Sequence, residues 1–260
     1  MIKVRACVVI GLSIGMLLMA GGAKSNDTPV TGPQEAGETE AHLWDYQLEI
    51  LKASDKSKDA LDRMTSLYIF ASNRPEEAYK WNEIGAENGD VVSQGNLASV
   101  LAGNGLLPNR KNSIRGWYWY DLLVKAGEKH AKASLKLFYS ASEISRYESK
   151  RQQPLVVPQR LGLADIKPMQ DRAWLGSTEA AMKLYEFHTD YRSQLEERLY
   201  WARIGAQNGN DRAQVLVAKL LLSSSDYNSR TRAWFWLNRA VKSGNSEARD
   251  LLAKEFQKAP

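Results

Sequence analysis

Residues 198–221 read RLYWARIGAQNGNDRAQVLVAKLL, and the same arrangement occurs in three other places along the chain. The copies are AYKWNEIGAENGDVVSQGNLASVL from Ala78, GWYWYDLLVKAGEKHAKASLKLFY from Gly116 and AWFWLNRAVKSGNSEARDLLAKEF from Ala233. Each places a tryptophan eight residues before a glycine: Trp81 and Gly89, Trp119 and Gly127, Trp201 and Gly209, Trp236 and Gly244. Four residues past the glycine stands a small residue, Ser93, Ala131, Ala213 or Ala248, and eight past it an aliphatic one, Leu97, Leu135, Val217 or Leu252. Self-similarity of this kind marks an array of repeats, each burying its apolar face only against its neighbours.

The glycine has a physical reason. A helix readily ends in a left-handed residue, a conformation glycine takes without a side-chain clash. Asp90, Asn210 or Asn245 follows at once, a residue type able to start the next helix by accepting its orphan backbone N–H groups. Each unit is therefore helix, tight turn, helix. At about 100° per residue, the positions eleven, eight, four and three before the glycine share one side of the first helix. They hold Ala78, Trp81, Gly85 and Ala86 in one unit and Ala233, Trp236, Ala240 and Val241 in another. A large ring facing small residues lets paired helices approach closely.

This pattern resembles the Sel-one-like repeat (SLR) family, relatives of the tetratricopeptide repeats, whose signature is alanine, a spaced aromatic, two small residues, glycine, then alanine and leucine. The resemblance implies an all-α fold, an α/α solenoid forming a right-handed superhelix of about five to six helix-turn-helix repeats. Leu123 and Val124 depart from the small pair in the second unit, and Arg198 and Gly116 from the leading alanine. Two weaker units fill gaps. GSTEAAMKLYEF from Gly176 supplies a glycine, Ala180 and Leu184, preceded by a poor first helix containing Pro168 and Trp174. Nearer the start, Ala60 and Met64 hold the expected places with Lys56 where glycine should stand. The interval from Gly127 to Gly176 is 49 residues, against 33 to 38 elsewhere. Its excess, around residues 145–167, carries Pro154 and Pro158 and reads as an inserted loop or a degenerate helix plus loop.

Composition bounds the setting. Lys3 and Arg5 precede an apolar run from Val8 to Ala20 and the small residues Gly21, Gly22 and Ala23, the three zones of a secretory signal peptide over residues 1–23. The rival reading, an uncleaved anchor, needs about 20 apolar residues. Residues 24–42 set one lysine against Asp27, Glu35, Glu38 and Glu40 and contain almost no large apolar residue, so they read as a flexible acidic tether. The solenoid is expected over 43–258. The lone cysteine, Cys7, lies in the leader, which leaves a mature chain without disulfides or cysteine metal ligands. These features point to an exported, soluble periplasmic protein with no stable membrane insertion. The formal charge of +5 becomes +3 without Lys3 and Arg5, and +6 from Leu43 onward. A mildly basic body draws acidic partners, while the absence of a Lys/Arg stripe argues against nucleic acid.

Catalytic patterns are missing. His42, His130 and His188 stand apart with no second ligand at helical spacing, so no metal site or cofactor is expected. Gly11-Leu12-Ser13-Ile14-Gly15 matches a nucleophile elbow, yet it lies in the leader, where no strand-turn-helix forms. The position nine before the glycine, nearly opposite the expected core, holds Lys80, Tyr118, Tyr200 and Phe235. Solvent-directed aromatics are typical interface anchors. Tyr118, Tyr200 and Phe235, with the neighbouring Arg203, are thus expected to line a concave binding face, and Tyr147, Arg151 and Arg160 of the insertion form a second patch. The competing reading packs the position-nine rings on neighbouring units. The family resemblance implies a non-enzymatic scaffold for another protein, with immunity against envelope-directed phospholipase effectors as one role and an envelope regulatory adaptor as the alternative. A β-lactam-binding enzyme is less favoured, because the paired cysteines of that branch are missing.

Overall fold

The computed structural model describes residues 75–104, 107–189, 195–223 and 227–256. The expected leader, the acidic tether and the weak first unit with Ala60 and Met64 lie outside them. Among the described residues all regular structure is helical: eleven α-helices and a 3-10 turn at Pro108–Arg110. The chain divides into two compact units, Met1–Lys132 and Ala133–Pro260. In the first lie α1 (Pro75–Glu87), α2 (Val91–Ala102) and α3 (Ser113–Lys125), where α1 packs on α2 and α2 on α3. Then come α4 (Ala131–Phe138), which begins at the division, α5 (Ala141–Gln152), α6 (Leu163–Trp174), α7 (Thr178–Thr189), α8 (Leu195–Gln207), α9 (Asp211–Leu222), α10 (Tyr227–Lys242) and α11 (Ser246–Phe256). From α6 onward each helix packs on the next. Contact between sequence neighbours, hairpin after hairpin, is the connectivity of an α/α solenoid.

The turn at Gly209 shows how the repeat is made. Gly209 sits at φ +100°, in the left-handed region. The Asn210 N–H donates back to the Gly205 carbonyl at 3.1 Å, a bond spanning the last turn of α8 and satisfying one of its orphan acceptors. The Asn210 side chain then accepts the Ala213 N–H at 2.7 Å and caps α9. Two successive residues thus end one helix and start the next. The turn at Gly89 repeats the plan, with Asp90 capping α2 through the Ser93 N–H. The turn at Gly244 does so with Asn245 and Ala248.

Above each turn the tryptophan fills the seam. Trp201 is 1% exposed and joins a core of Leu161, Met169, Ala173, Ala180, Ala181, Leu184 and Ile204. Burying a ring of this size contributes several kcal/mol. The small residues set the spacing of the pair. A Cβ placed on Gly205 would stand 3.0 Å from the Ala213 Cβ, so α8 and α9 approach as closely as two backbones bearing only hydrogen and methyl allow.

The insertion is a helix plus a loop. Ser140 caps α5 in a reciprocal capping box with Glu143. An irregular stretch over 153–162 follows, and α6 begins at Leu163 with its start tied by Asp165, whose carboxylate accepts the Gly162 N–H at 2.8 Å. Pro168 lies inside α6 without ending it. Lys150 fastens α5 to α6: its ammonium bonds the Asp171 carboxylate, and its backbone carbonyl accepts from Arg172.

Candidate partner-binding surface

The position nine before the glycine divides. Tyr118 is 8% exposed and Phe235 6%, so both are buried, against the expectation that they face solvent. Tyr200 is 41% exposed. The physical reason stands one helical turn earlier. Arg115 stacks its guanidinium 4.1 Å from the Tyr118 ring centroid and 5.2 Å from that of Trp119. Arg232 repeats this at 4.4 Å from Phe235 and 5.6 Å from Trp236. Both arginines occupy the position twelve before their glycine, where residue i meets i+3 and i+4 on the helix surface. In the Tyr200 unit that position is Glu197, which is exposed, and the Tyr200 side chain is open to solvent. The recurrence of Arg at one register and its replacement by Glu was the sequence signal for this difference.

The insertion patch is also rearranged. Tyr147 is buried, edge-on to Tyr139 at 6.3 Å, and so serves the core of the second body. Arg151 is half-buried, and Arg160 is exposed. Tyr120, seven residues before Gly127, is buried as well, and burial pushes its phenol up while a Ser99 hydrogen bond acts the other way.

What the second body does present is a surface on α6 and α8. The Trp174 indole N–H donates to the Tyr200 hydroxyl at 2.8 Å, which joins the two helices at their outer side. Tyr200 meets Trp201 edge-on at 4.8 Å, and Trp174 lies 5.8 Å from Trp201, so both outer rings rest on the core ring. The Lys167 ammonium sits 4.8 Å over Trp174 and also bonds Asp171 at 2.8 Å. Burial raises the Asp171 carboxyl, but the ammoniums of Lys150 and Lys167 outweigh it and hold the group below its usual range. Arg203, half-buried, follows Tyr200 by three residues on α8. Asn208 bonds the Ala173 carbonyl at 2.9 Å, pinning the end of α8 to the end of α6.

The same face of α6 leads to a cavity. Leu163, Lys167 and Trp174 fall within about 40° of one another around the helix at 100° per residue, and Leu163 is 88% exposed. Beside Leu163 a cavity of about 350 Å³ opens between the loop Gln159, Arg160, Leu161 and Gly162 and the α7 residues Lys183, Glu186 and Phe187. Lys183 and Glu186, one turn apart on α7, pair at 3.4 Å. Of the expected site residues, Tyr200 and Arg203 share α8, and Arg160 lines this cavity. Trp174, Lys167 and Leu163 were not singled out from sequence as binding residues, because the proline in their helix obscured its register. Among the described residues no group of three or more His, Cys, Asp and Glu stands together to hold a metal. None of the described helices is long and apolar enough to cross a membrane.

No family model matches the chain, and no curated protein does. A crystal structure of a Sel1 repeat protein from Oxalobacter formigenes is similar at 20% identity over 86% of this chain and 90% of that one, with a TM-score of 0.33. With its spaced tryptophans, small-residue seams and left-handed glycine turns, the chain is an all-α array of helix-turn-helix repeats.

Proposed function

We propose that the chain is a non-enzymatic scaffold that grips another protein, and that the α6 and α8 face of the second body is where it does so. The observation that carries this reading is the exposed Tyr200 side chain, hydrogen-bonded to Trp174 beside Lys167. Interface energy concentrates in aromatic and arginine anchors that rest on a rigid support, and here both rings lean on the buried Trp201. Arg203 belongs to the same surface. Tyr118, Phe235 and Tyr147 leave the list of contact residues and join the core.

The setting follows from the leader and the family resemblance: export to the periplasm as a soluble protein, and opposition to an envelope-directed effector of phospholipase type. An envelope regulatory adaptor uses the same surface. N-terminal mass spectrometry of the periplasmic fraction checks export, with a mature start near Lys24 expected. The binding reading is tested by affinity capture with the intact chain, followed by titration of the captured partner. Tyr200→Ala should weaken binding about tenfold, or about 1.4 kcal/mol, with an unchanged circular dichroism spectrum. A folded Tyr200→Ala/Arg203→Ala variant that binds within about twofold of wild type removes this face from the function.

A further inference from the structure

We infer that the occupant of this face is an extended acidic segment of the partner, seating one apolar side chain in the cavity beside Leu163 and placing a neighbouring carboxylate on Arg160; this rests on the scaffold reading above.

Charge selects the occupant. Between residues 146 and 174 the sequence carries six basic residues, Arg146, Lys150, Arg151, Arg160, Lys167 and Arg172, against Glu148, Asp165 and Asp171. Two of those three acids are engaged within the body. Asp165 caps the start of α6 and Asp171 is bonded by two lysines. Among the described residues Arg160 has no ion pair or hydrogen bond, and it stands exposed on the cavity rim. An exposed arginine with its five donors unspent recognises a planar carboxylate through two parallel bonds. Lys183 does not compete, because Glu186 already faces it.

Shape selects the rest. Leu161 and Phe187 give the cavity apolar walls, and Leu163 at its edge is 88% exposed. A leucine this exposed at the edge of a concave wall offers contact surface to a bound apolar side chain. At about 350 Å³ the cavity is at the small end of ligand pockets, which run from about 300 to 1,000 Å³. It therefore suits one side chain of a longer ligand better than a whole cofactor. From Leu163 to Trp174 the axis of α6 rises about 16 Å, which an extended chain covers in about five residues. A segment of that length reaches from the cavity past Lys167 to Trp174 and Tyr200.

The test uses the whole chain and a random-sequence displayed peptide library, followed by a synthetic, fluorescein-labelled copy of the enriched peptide. The expected outcome is enrichment of Asp or Glu next to Leu, Ile or Phe, with affinity that falls as salt rises. Arg160→Gln and Leu163→Ser should each weaken that peptide about tenfold while leaving the circular dichroism melt unchanged, since both side chains are exposed. Neutral or basic enriched peptides, no enrichment, or an Arg160→Gln variant binding within twofold would each overturn the inference. If only Tyr200→Ala weakens the peptide, the scaffold reading stands and the cavity falls out of it. A parallel arm uses phosphatidylglycerol vesicles. Sedimentation with them that Arg160→Gln abolishes, without peptide enrichment, would give the arginine to a lipid headgroup and overturn the peptide assignment.

Discussion

Tyr118 on α3 and Tyr200 on α8 occupy the same place in their repeats, yet one is buried and the other open. Both lie beside the seam tryptophan, at 5.6 and 4.8 Å and edge-on. What separates them is the residue three before. Arg115 closes over Tyr118, while Glu197 stands at that register on α8 and Tyr200 is 41% exposed. A carboxylate has no attraction for the negative face of a ring, whereas a guanidinium stacks on it. Phe235 under Arg232 repeats the covered case within the second body. A repeat position therefore does not have a fixed exposure. One charge one turn away decides whether an aromatic serves the fold or the surface.

The seam tryptophans give the largest effect, common to covered and open units alike. Trp119→Ala and Trp201→Ala should each cost about 3 to 5 kcal/mol, as for other fully buried rings, read by urea denaturation. If either change leaves the midpoint alone, the shared register behind the comparison is wrong.

Next come the covering arginines. Arg115→Ala should cost roughly 1 to 2 kcal/mol, from lost stacking on two rings and lost packing of a buried stem, whereas Tyr200→Ala on the open unit should cost under about 1 kcal/mol. Equal costs for the two would erase the distinction between a structural and a presented ring. A gentler change sharpens it. Glu197→Arg should draw a guanidinium over Tyr200 and add up to about 0.5 to 1 kcal/mol of stability. It should also suppress the Tyr200 signal in photo-induced nuclear polarisation, which reports on accessible tyrosines. A signal as strong as wild type would show that register alone does not do the covering.

These contrasts separate what was legible in the sequence from what was not. The helix-turn-helix units, their glycine turns and the buried seam could be read directly, because a left-handed turn demands glycine and a close helix pair demands a large ring against small residues. The outward column could not. A helical wheel gives the direction in which Cβ leaves the axis, but a helix packed into an array has neighbours on more than one side. An arginine stem of this length can fold back over the next turn. The wheel therefore placed Tyr118 and Phe235 in solvent when Arg115 and Arg232 cover them. Tyr147 was misread for a related reason: an irregular, proline-bearing stretch looked like loop, and α5 within it is an amphipathic helix with Tyr147 turned toward Tyr139. Arg160, named in that patch from sequence, is exposed.

The smallest effect expected belongs to Asp171, which anchors Lys167 beneath Trp174. A carboxyl held below its unfolded value adds stability that is present above that value and lost as pH falls through the folded one. The stability gap between wild type and Asp171→Asn should accordingly be widest near neutral pH and close below the ordinary aspartate range, about 3.9. A gap that widens on acidification would contradict the ion-pair assignment.

The glycine turns have a consequence for chirality. At Gly89, Gly127, Gly209 and Gly244 an added Cβ would meet no atom within 4 Å, so space does not exclude a side chain there. The positive φ alone disfavours the natural L residues, and each glycine leaves the unfolded chain looser than any residue with a side chain would. A D-amino acid fits these four places without strain. At these four turns the hinge is thus set by the handedness of the genetic code's alphabet rather than by crowding, and a mirror-image residue would suit the native backbone there better than the one that translation can supply.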